Sequence, residues 1–184
     1  MHFKNIKFFC YINSFDLNFI SNLSKNTSII YRNYKNPIDE NLILKIKNFC
    51  KKKGIKFYLS NNVKLAIKLD LDGAYLPAFN KNTEHNTYKM KKRFMLMGSA
   101  HNLREIREKE KQNVKLIFIS PLFYSKKNTS FLGIYRFLKL KKQTLVKTVC
   151  LGGINLNNIK KIKLLNVSAI AGINLFNDKK LKYL

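Results

Sequence analysis

Apolar residues fall in short runs along the chain, and these alternate with stretches of helical spacing. Ile6-Lys7-Phe8-Phe9-Cys10-Tyr11-Ile12 reads as a buried strand, and Asp16 to Leu23 as a short helical stretch. Thr27 to Arg32 is a second strand. Pro37 then sits at the start of an amphipathic helix, Ile38 to Lys53, with Leu42, Ile43, Ile46 and Phe49 on one face. Proline is favoured in a first helical turn, and Gly54 is a fitting stop. Ile55 to Leu59 is a third strand, Val63 to Leu69 a short helix, and Ala74 to Leu76 a fourth strand ending at Pro77. From Ala78 to Arg93 the chain is polar and basic, with no readable helix. The rhythm then resumes. Strands at Phe94 to Met97, Val114 to Ser120, Val146 to Leu151 and Ala169 to Ile173 are followed by helices at Leu103 to Gln112, Phe131 to Lys142, Asn155 to Leu165 and Asp178 to Leu184.

Eight strands thus alternate with seven helical segments. Such alternation implies parallel βαβ units, and continuously apolar strands fit a sheet covered on both faces. The expected architecture is a (β/α)8 TIM barrel, small and compact, with residues 1–184 as a single domain. The alternative arrangement is a doubly wound open sheet. No GxGxxG opens a helix, so a dinucleotide site has little support.

Composition narrows the function. The chain is 46% hydrophobic, enough to bury a core, yet no run approaches the ~20 apolar residues of a membrane span. Met1-His2-Phe3-Lys4 leads straight into a strand, so no secretory signal and no membrane partner are expected. Cys10, Cys50 and Cys150 lie far apart, with no CxxC spacing. They read as reduced, buried thiols of a cytoplasmic protein. Lysine and arginine number 36 against 10 acidic residues, a net charge of +26. That balance ordinarily points to nucleic acid. Here Lys far exceeds Arg, Asn and Ile abound, and Gly, Pro and Trp are scarce, the mark of AT-rich codons. Nucleic acid is therefore not the expected main partner. A homo-oligomer stays open.

In such a barrel the residues just after each strand line one mouth. Here these are Arg32 and Lys35; Ser60, Asn61 and Asn62; Pro77; Ser99, His101 and Asn102; Ser120, Pro121, Ser125, Lys126, Lys127 and Asn128; Gly152 and Gly153; and Asn174. The set is cationic, carries glycine and contains no carboxylate, which suits a phosphate. Gly152-Gly153-Ile154-Asn155 is a glycine turn expected to open onto a helix, where barrels often cradle phosphate. As a plain alternative, it is a tight turn needing positive φ. His101 is the natural acid/base, because imidazole titrates near neutral pH. Otherwise His101-Asn102 simply caps the following helix.

Several segments, in order, resemble the thiamin phosphate synthase/TenI family. Ile30-Tyr31-Arg32 resembles the family's arginine-bearing strand end. Val63-Lys64-Leu65-Ala66 with Asp72-Gly73-Ala74-Tyr75-Leu76 resembles "V-D-L-A … A-D-G-V-H-L". Gly98-Ser99-Ala100-His101 resembles "G-x-S-x-H" with one residue fewer. Ser120-Pro121-Leu122-Phe123-Tyr124-Ser125-Lys126 resembles the "G-P-V-F-x-T" loop, Leu132-Gly133 the "L-G" after it, Gly152-Gly153-Ile154 "G-G-I", and Ala169-Ile170-Ala171 "G-V-A".

The resemblance implies a barrel of thiamin biosynthesis with thiazole or pyrimidine phosphates as partners. It implies phosphate contacts from Arg32, Lys35, Asn61, Ser125, Lys127, Gly152, Gly153 and Asn174, and catalytic roles for His101, Ser99 and Lys126. Synthases of the family hold magnesium through two aspartates. The matching positions here are Asn61, after Ser60, and the segment Pro77-Ala78-Phe79-Asn80, neither with a carboxylate. The strand-two Gln is Ile30 and the following Lys is Tyr34, next to Lys35. No protein metal ligand is expected, and Mg2+ would be a cofactor only if synthase activity is kept. A TenI-like thiazole tautomerase needs a proton donor–acceptor and a phosphate cradle, without a metal. The alternative from another class is a non-catalytic basic module that binds nucleic acid or another polyanion on a degenerate barrel.

Overall fold

The computed structural model describes residues 6–125, 129–172 and 174–177. Its strands are β1 (Lys7–Ile12), β2 (Thr27–Tyr31), β3 (Phe57–Ser60), β4 (Gly73–Leu76), β5 (Met95–Ala100), β6 (Leu116–Ile119), β7 (Lys147–Leu151) and β8 (Ala169–Gly172). All neighbouring strands pair in parallel, and β8 pairs back onto β1, so the sheet closes into a barrel and the open-sheet alternative falls away. Strand side chains alternate between two cores. Phe9, Tyr11, Ile30, Tyr58, Tyr75, Met97 and Phe118 fill the barrel interior. Cys10, Ile29, Leu59, Ala74, Ile117 and Cys150 face the outer layer, where they meet Ile43, Ile46, Ile106 and Phe137. Period-two alternation sends successive residues to opposite faces, and here both faces are dry. The three cysteines are buried and free.

The α-helices are α1 (Leu17–Ser21), α2 (Glu40–Lys53), α3 (Val63–Lys68), α4 (Leu103–Lys111) and α5 (Gly133–Lys142). Helix α2 starts two residues later than Pro37 suggested. Asp39 is its N-cap and accepts from Asn41 N and Leu42 N, leaving Pro37 and Ile38 outside. Gly54 ends it in the left-handed region, as expected. Between β4 and β5 there is no α-helix, only a 3-10 turn at Glu84–Thr87. The expected helix from Asn155 is also not α-helical. Asn155 Oδ1 accepts from Asn157 N and Asn158 N, an Asx turn that diverts the chain, and only a 3-10 helix at Ile159–Leu165 follows. Strand β5 runs further than its apolar residues indicated, carrying Gly98 and Ser99 inside it. The expected closing helix, 178–184, lies outside the described residues. Among the described residues no helix is long and apolar enough to cross a membrane.

Candidate active site

The C-terminal ends of the strands bring the described candidate residues to one end of the barrel. Parity decides which of them turn inward. Arg32 follows Ile30, Ser60 follows Tyr58, and Ser99 follows Met97, each continuing an inward-facing series.

Arg32 is anchored by its backbone N–H, which donates to Ile12 O at 2.8 Å. Its guanidinium carbon stands 4.9 Å from the centre of the Tyr11 ring. This cation–π contact holds the charge over the barrel axis, and no carboxylate pairs with it among the described residues. Beneath it the Tyr11 hydroxyl is buried without a hydrogen-bond partner among the described residues. Burial pushes the phenol of neighbouring Tyr75 above its ordinary value, against the pull of the Ser99 hydroxyl beside it. Ser99 itself is buried. Lys35 is exposed, and its backbone N–H donates to Asn33 Oδ1 at 3.1 Å.

Two loops meet on the β3–β4 side. Asn61, in the left-handed region at φ 63°, accepts through Oδ1 from Asn80 Nδ2 at 2.7 Å. Asn80 is fixed from behind by α4. Lys109, wholly buried, donates from Nζ to Pro77 O, Asn80 O and Gln112 Oε1 at 2.7–2.8 Å. Burial pushes its ammonium down to about 8, with Glu105 and Glu108 pulling the other way. Gln112 Nε2 in turn donates to Asn80 Oδ1 at 3.2 Å. Tyr34 roofs this corner, its hydroxyl 2.7 Å from Ser60 Oγ and its ring edge-on to Phe79.

His101 lies at the end of β5 with its ring exposed to solvent. Nδ1 is 2.7 Å from Ser120 O and 3.2 Å from Ser120 Oγ. A carbonyl can only accept, so Nδ1 carries the proton and Nε2 holds the lone pair of the neutral ring. The capping role falls to Asn102, whose Oδ1 accepts from Glu105 N at 3.0 Å, while Glu105 Oε2 accepts from His101 N at 2.7 Å. His101 is thereby positioned by its backbone and by its ring.

The remaining candidates divide. Gly152 and Gly153 have φ of 95° and 69°, and the loop after β6 packs directly on them. Leu122 N donates to Leu151 O, Phe123 N to Gly152 O, and Asn158 Nδ2 to Gly153 O. The glycine pair is thus required by packing, and it does not open onto an α-helix. Ser125 is half-buried in the same loop. Asn174 opens a 3-10 helix at Asn174–Asn177. Lys126 and Lys127 lie outside the described residues. Sequence reasoning passed over Tyr11, and took Phe79 and Asn80 only as part of a segment without a carboxylate. Tyr11 could have been found by counting two residues on from inward-facing Phe9; the Asn61–Asn80 contact had no local signal.

The sequence profile described as thiamine monophosphate synthase matches residues 22–176. The chain belongs to that family. A thiamine-phosphate synthase of Prochlorococcus marinus is 30% identical over 137 residues, 72% of this chain and 39% of that protein. One from Helicobacter pylori is 26% identical over 129 residues, 67% of this chain and 59% of that protein. The matches therefore span only 39% and 59% of these relatives' lengths. In structure, thiamine phosphate pyrophosphorylase from Pyrococcus furiosus is similar with a TM-score of 0.77, covering 97% of this chain and 91% of that one at 17% identity, a likeness of fold.

Magnesium, implied for synthases of the thiamine monophosphate synthase family, does not fit this donor set. It prefers carboxylate oxygens. The corresponding places are Asn61 and the segment Pro77–Asn80, neither with a carboxylate, and the amides of Asn61 and Asn80 are engaged with each other and with Asn82 N and Gln112. Among the described residues no three His, Cys, Asp or Glu side chains gather to hold a metal ion.

Proposed function

We propose that this member of the thiamine monophosphate synthase family moves a proton on a thiazole phosphate at the C-terminal mouth of its barrel, without a metal. The observation that carries this reading is the pairing of Asn61 with Asn80 at 2.7 Å, where a synthase would carry its metal-binding carboxylates. A pyrophosphate–magnesium complex has no ligands to replace its water there, whereas proton transfer needs none.

In this reading Arg32 meets the phosphate, since its guanidinium is fixed over Tyr11 and has no carboxylate partner among the described residues. Lys35, Ser125, Gly152, Gly153 and Asn174 would complete the anion's surroundings from the other strand ends, and Lys126 and Lys127 are assigned to it from the sequence alone. His101 is the acid/base. Nε2 takes a proton from one ring atom of the thiazole, and the imidazolium returns it to another, so the double bond shifts and no charge or atom is lost. The Nδ1–H to Ser120 O bond supports the imidazolium that forms in between. Ser99 and Tyr75 face the heterocycle from the barrel interior.

The test is an assay with thiazole carboxylate phosphate in deuterated water, with and without magnesium, in parallel with a coupling assay using both phosphorylated precursors. Metal-independent tautomerisation and deuterium incorporation are expected. Magnesium-dependent formation of thiamin phosphate would overturn the reading.

A further inference from the structure

A sizeable cavity lies away from this mouth. It opens at the opposite, N-terminal end of the barrel and encloses about 760 Å³. Small-molecule sites commonly measure ~300–1,000 Å³. Its rim is formed by the residues that lead into the strands, and five of them are lysines: Lys7, Lys25, Lys56, Lys115 and Lys147.

Among the described residues no carboxylate lines this cavity. The ion pairs among the described residues lie elsewhere: Glu40 with Lys68, Asp70 with Lys91 and Arg93, Glu108 with Lys111, and Glu110 with Arg107. Asp72, beside the rim, accepts from Phe57 N at 2.9 Å. None of the five rim lysines takes part in an ion pair among the described residues. Five like charges around one concavity repel, and low-dielectric walls focus their field into it. An anion entering there relieves that repulsion.

The floor is of the other kind. Met95, Leu116 and Val146 present apolar surface, with Phe9 and Tyr58 beneath. The Tyr58 hydroxyl is buried, and its hydrogen bond is a long one, 4.0 Å to Met95 Sδ. Sulfur is a weak acceptor, so a strong donor stays available at the base of the cavity. An apolar floor with a donor beneath a cationic rim suits a planar ring carrying phosphates.

We infer that the N-terminal end of the barrel is a second ligand site, separate from the mouth, for a nucleotide-sized aromatic phosphate ester. The strands are four to six residues long, so the two sites stand about 15 Å apart at ~3.3 Å per residue. The aromatic interior of Phe9, Tyr75 and Phe118 lies between them.

The probe is ATP, read by NMR of the full chain labelled with 13C at the methionine methyls. Met95 borders the cavity, and its resonance is assigned by Met95→Leu. ATP is expected to shift the Met95 methyl in a saturable way. The double substitution Lys56→Glu and Lys147→Glu should weaken binding by about tenfold or more, with circular dichroism confirming the fold, while Arg32→Ala at the mouth should leave it unchanged. Inorganic triphosphate should bind more weakly than ATP, because it has no ring for the floor. The inference is overturned if ATP leaves Met95 unmoved at millimolar concentration, or if charge reversal does not change the affinity. It is equally overturned if Arg32→Ala abolishes the shift or triphosphate binds as well as ATP. These outcomes are independent of proton transfer at the mouth.

Discussion

The ring of His101 is tied through Nδ1 to the carbonyl oxygen of Ser120, 2.7 Å away, across the ends of two neighbouring strands. A ring held this way presents the same nitrogen, Nε2, to whatever occupies the mouth. Replacing His101 with Ala is expected to cut tautomerisation by about 100-fold or more, the usual contribution of a positioned acid/base. The side chain is exposed, so stability should change by no more than about 0.5 kcal/mol. Turnover and a thermal melt on the same variant check both halves; full turnover would remove His101 from the chemistry.

The Asn61–Asn80 contact yields a gain-of-binding prediction. In the double variant Asn61→Asp, Asn80→Asp, two carboxylates replace the amide pair, which is 2.7 Å apart. Like charges that close disfavour ionisation and folding. The variant is expected to melt below the parent in EDTA and to recover when Mg2+ is added. The parent should show no magnesium response. Equal magnesium responses in the two proteins would contradict the account of the amide pair.

Two glycines separate backbone strain from crowding. Gly54 and Gly153 have nearly the same φ, 68° and 69°. A Cβ on Gly54 meets nothing within 4 Å, but one on Gly153 would overlap the carbonyl group of Phe123. Gly54→Ala should cost about 1–2 kcal/mol, the left-handed penalty alone. Gly153→Ala should cost clearly more, because the loop after β6 must move as well. Chemical denaturation of both variants measures the difference, and equal losses would show that the loop gives way freely.

Stability should fall in alkali. Burial pushes the thiols of Cys10, Cys50 and Cys150 up to about 12. Free in the unfolded chain they ionise near ~8.5. The folded value is raised, so this contribution is whole below about pH 8.5 and is lost as pH climbs toward 12. Lys109 acts in the opposite sense. Its folded value is lowered to about 8, so it adds stability from there up to ~10.4, where the unfolded group deprotonates. Three thiols against one ammonium leave a net decline. Melts at about pH 8, 9 and 10 should show it, and Cys50→Ala should make the slope shallower. A melting temperature that stays flat over this range would contradict the burial of the thiols.

The fold was largely legible because β-strand signals here are strong. Ile29-Ile30-Tyr31 and Leu116-Ile117-Phe118-Ile119 are apolar on both faces, which only a doubly covered strand tolerates. Helices were less legible where asparagine intervened. Asn155 has the right chemistry for a cap, but with Asn157 and Asn158 close behind it closes a side-chain turn instead. Pro37 and Asp39 offered competing starts, and the carboxylate that reaches two backbone N–H groups won. At the mouth, position relative to a strand end located Arg32 and His101, because parity is a local property. What joined Asn61 to Asn80 was the geometry of two loops and a buried lysine from a distant helix, and no spacing rule encodes that. The cavity at the other end was invisible for the same reason, since its five lysines come from five separate segments.

The ladder that joins Lys7 to Ala169 and Cys10 to Gly172 has a consequence for how the protein is made. On the ribosome, β1 emerges long before its β8 partner. Until then one side of β1 can pair only with β2, and the growing sheet carries an open, strongly apolar edge at each end. Until β8 pairs with both β7 and β1, the seven-stranded sheet keeps its two apolar edges open, and this is the state of the chain most prone to aggregate.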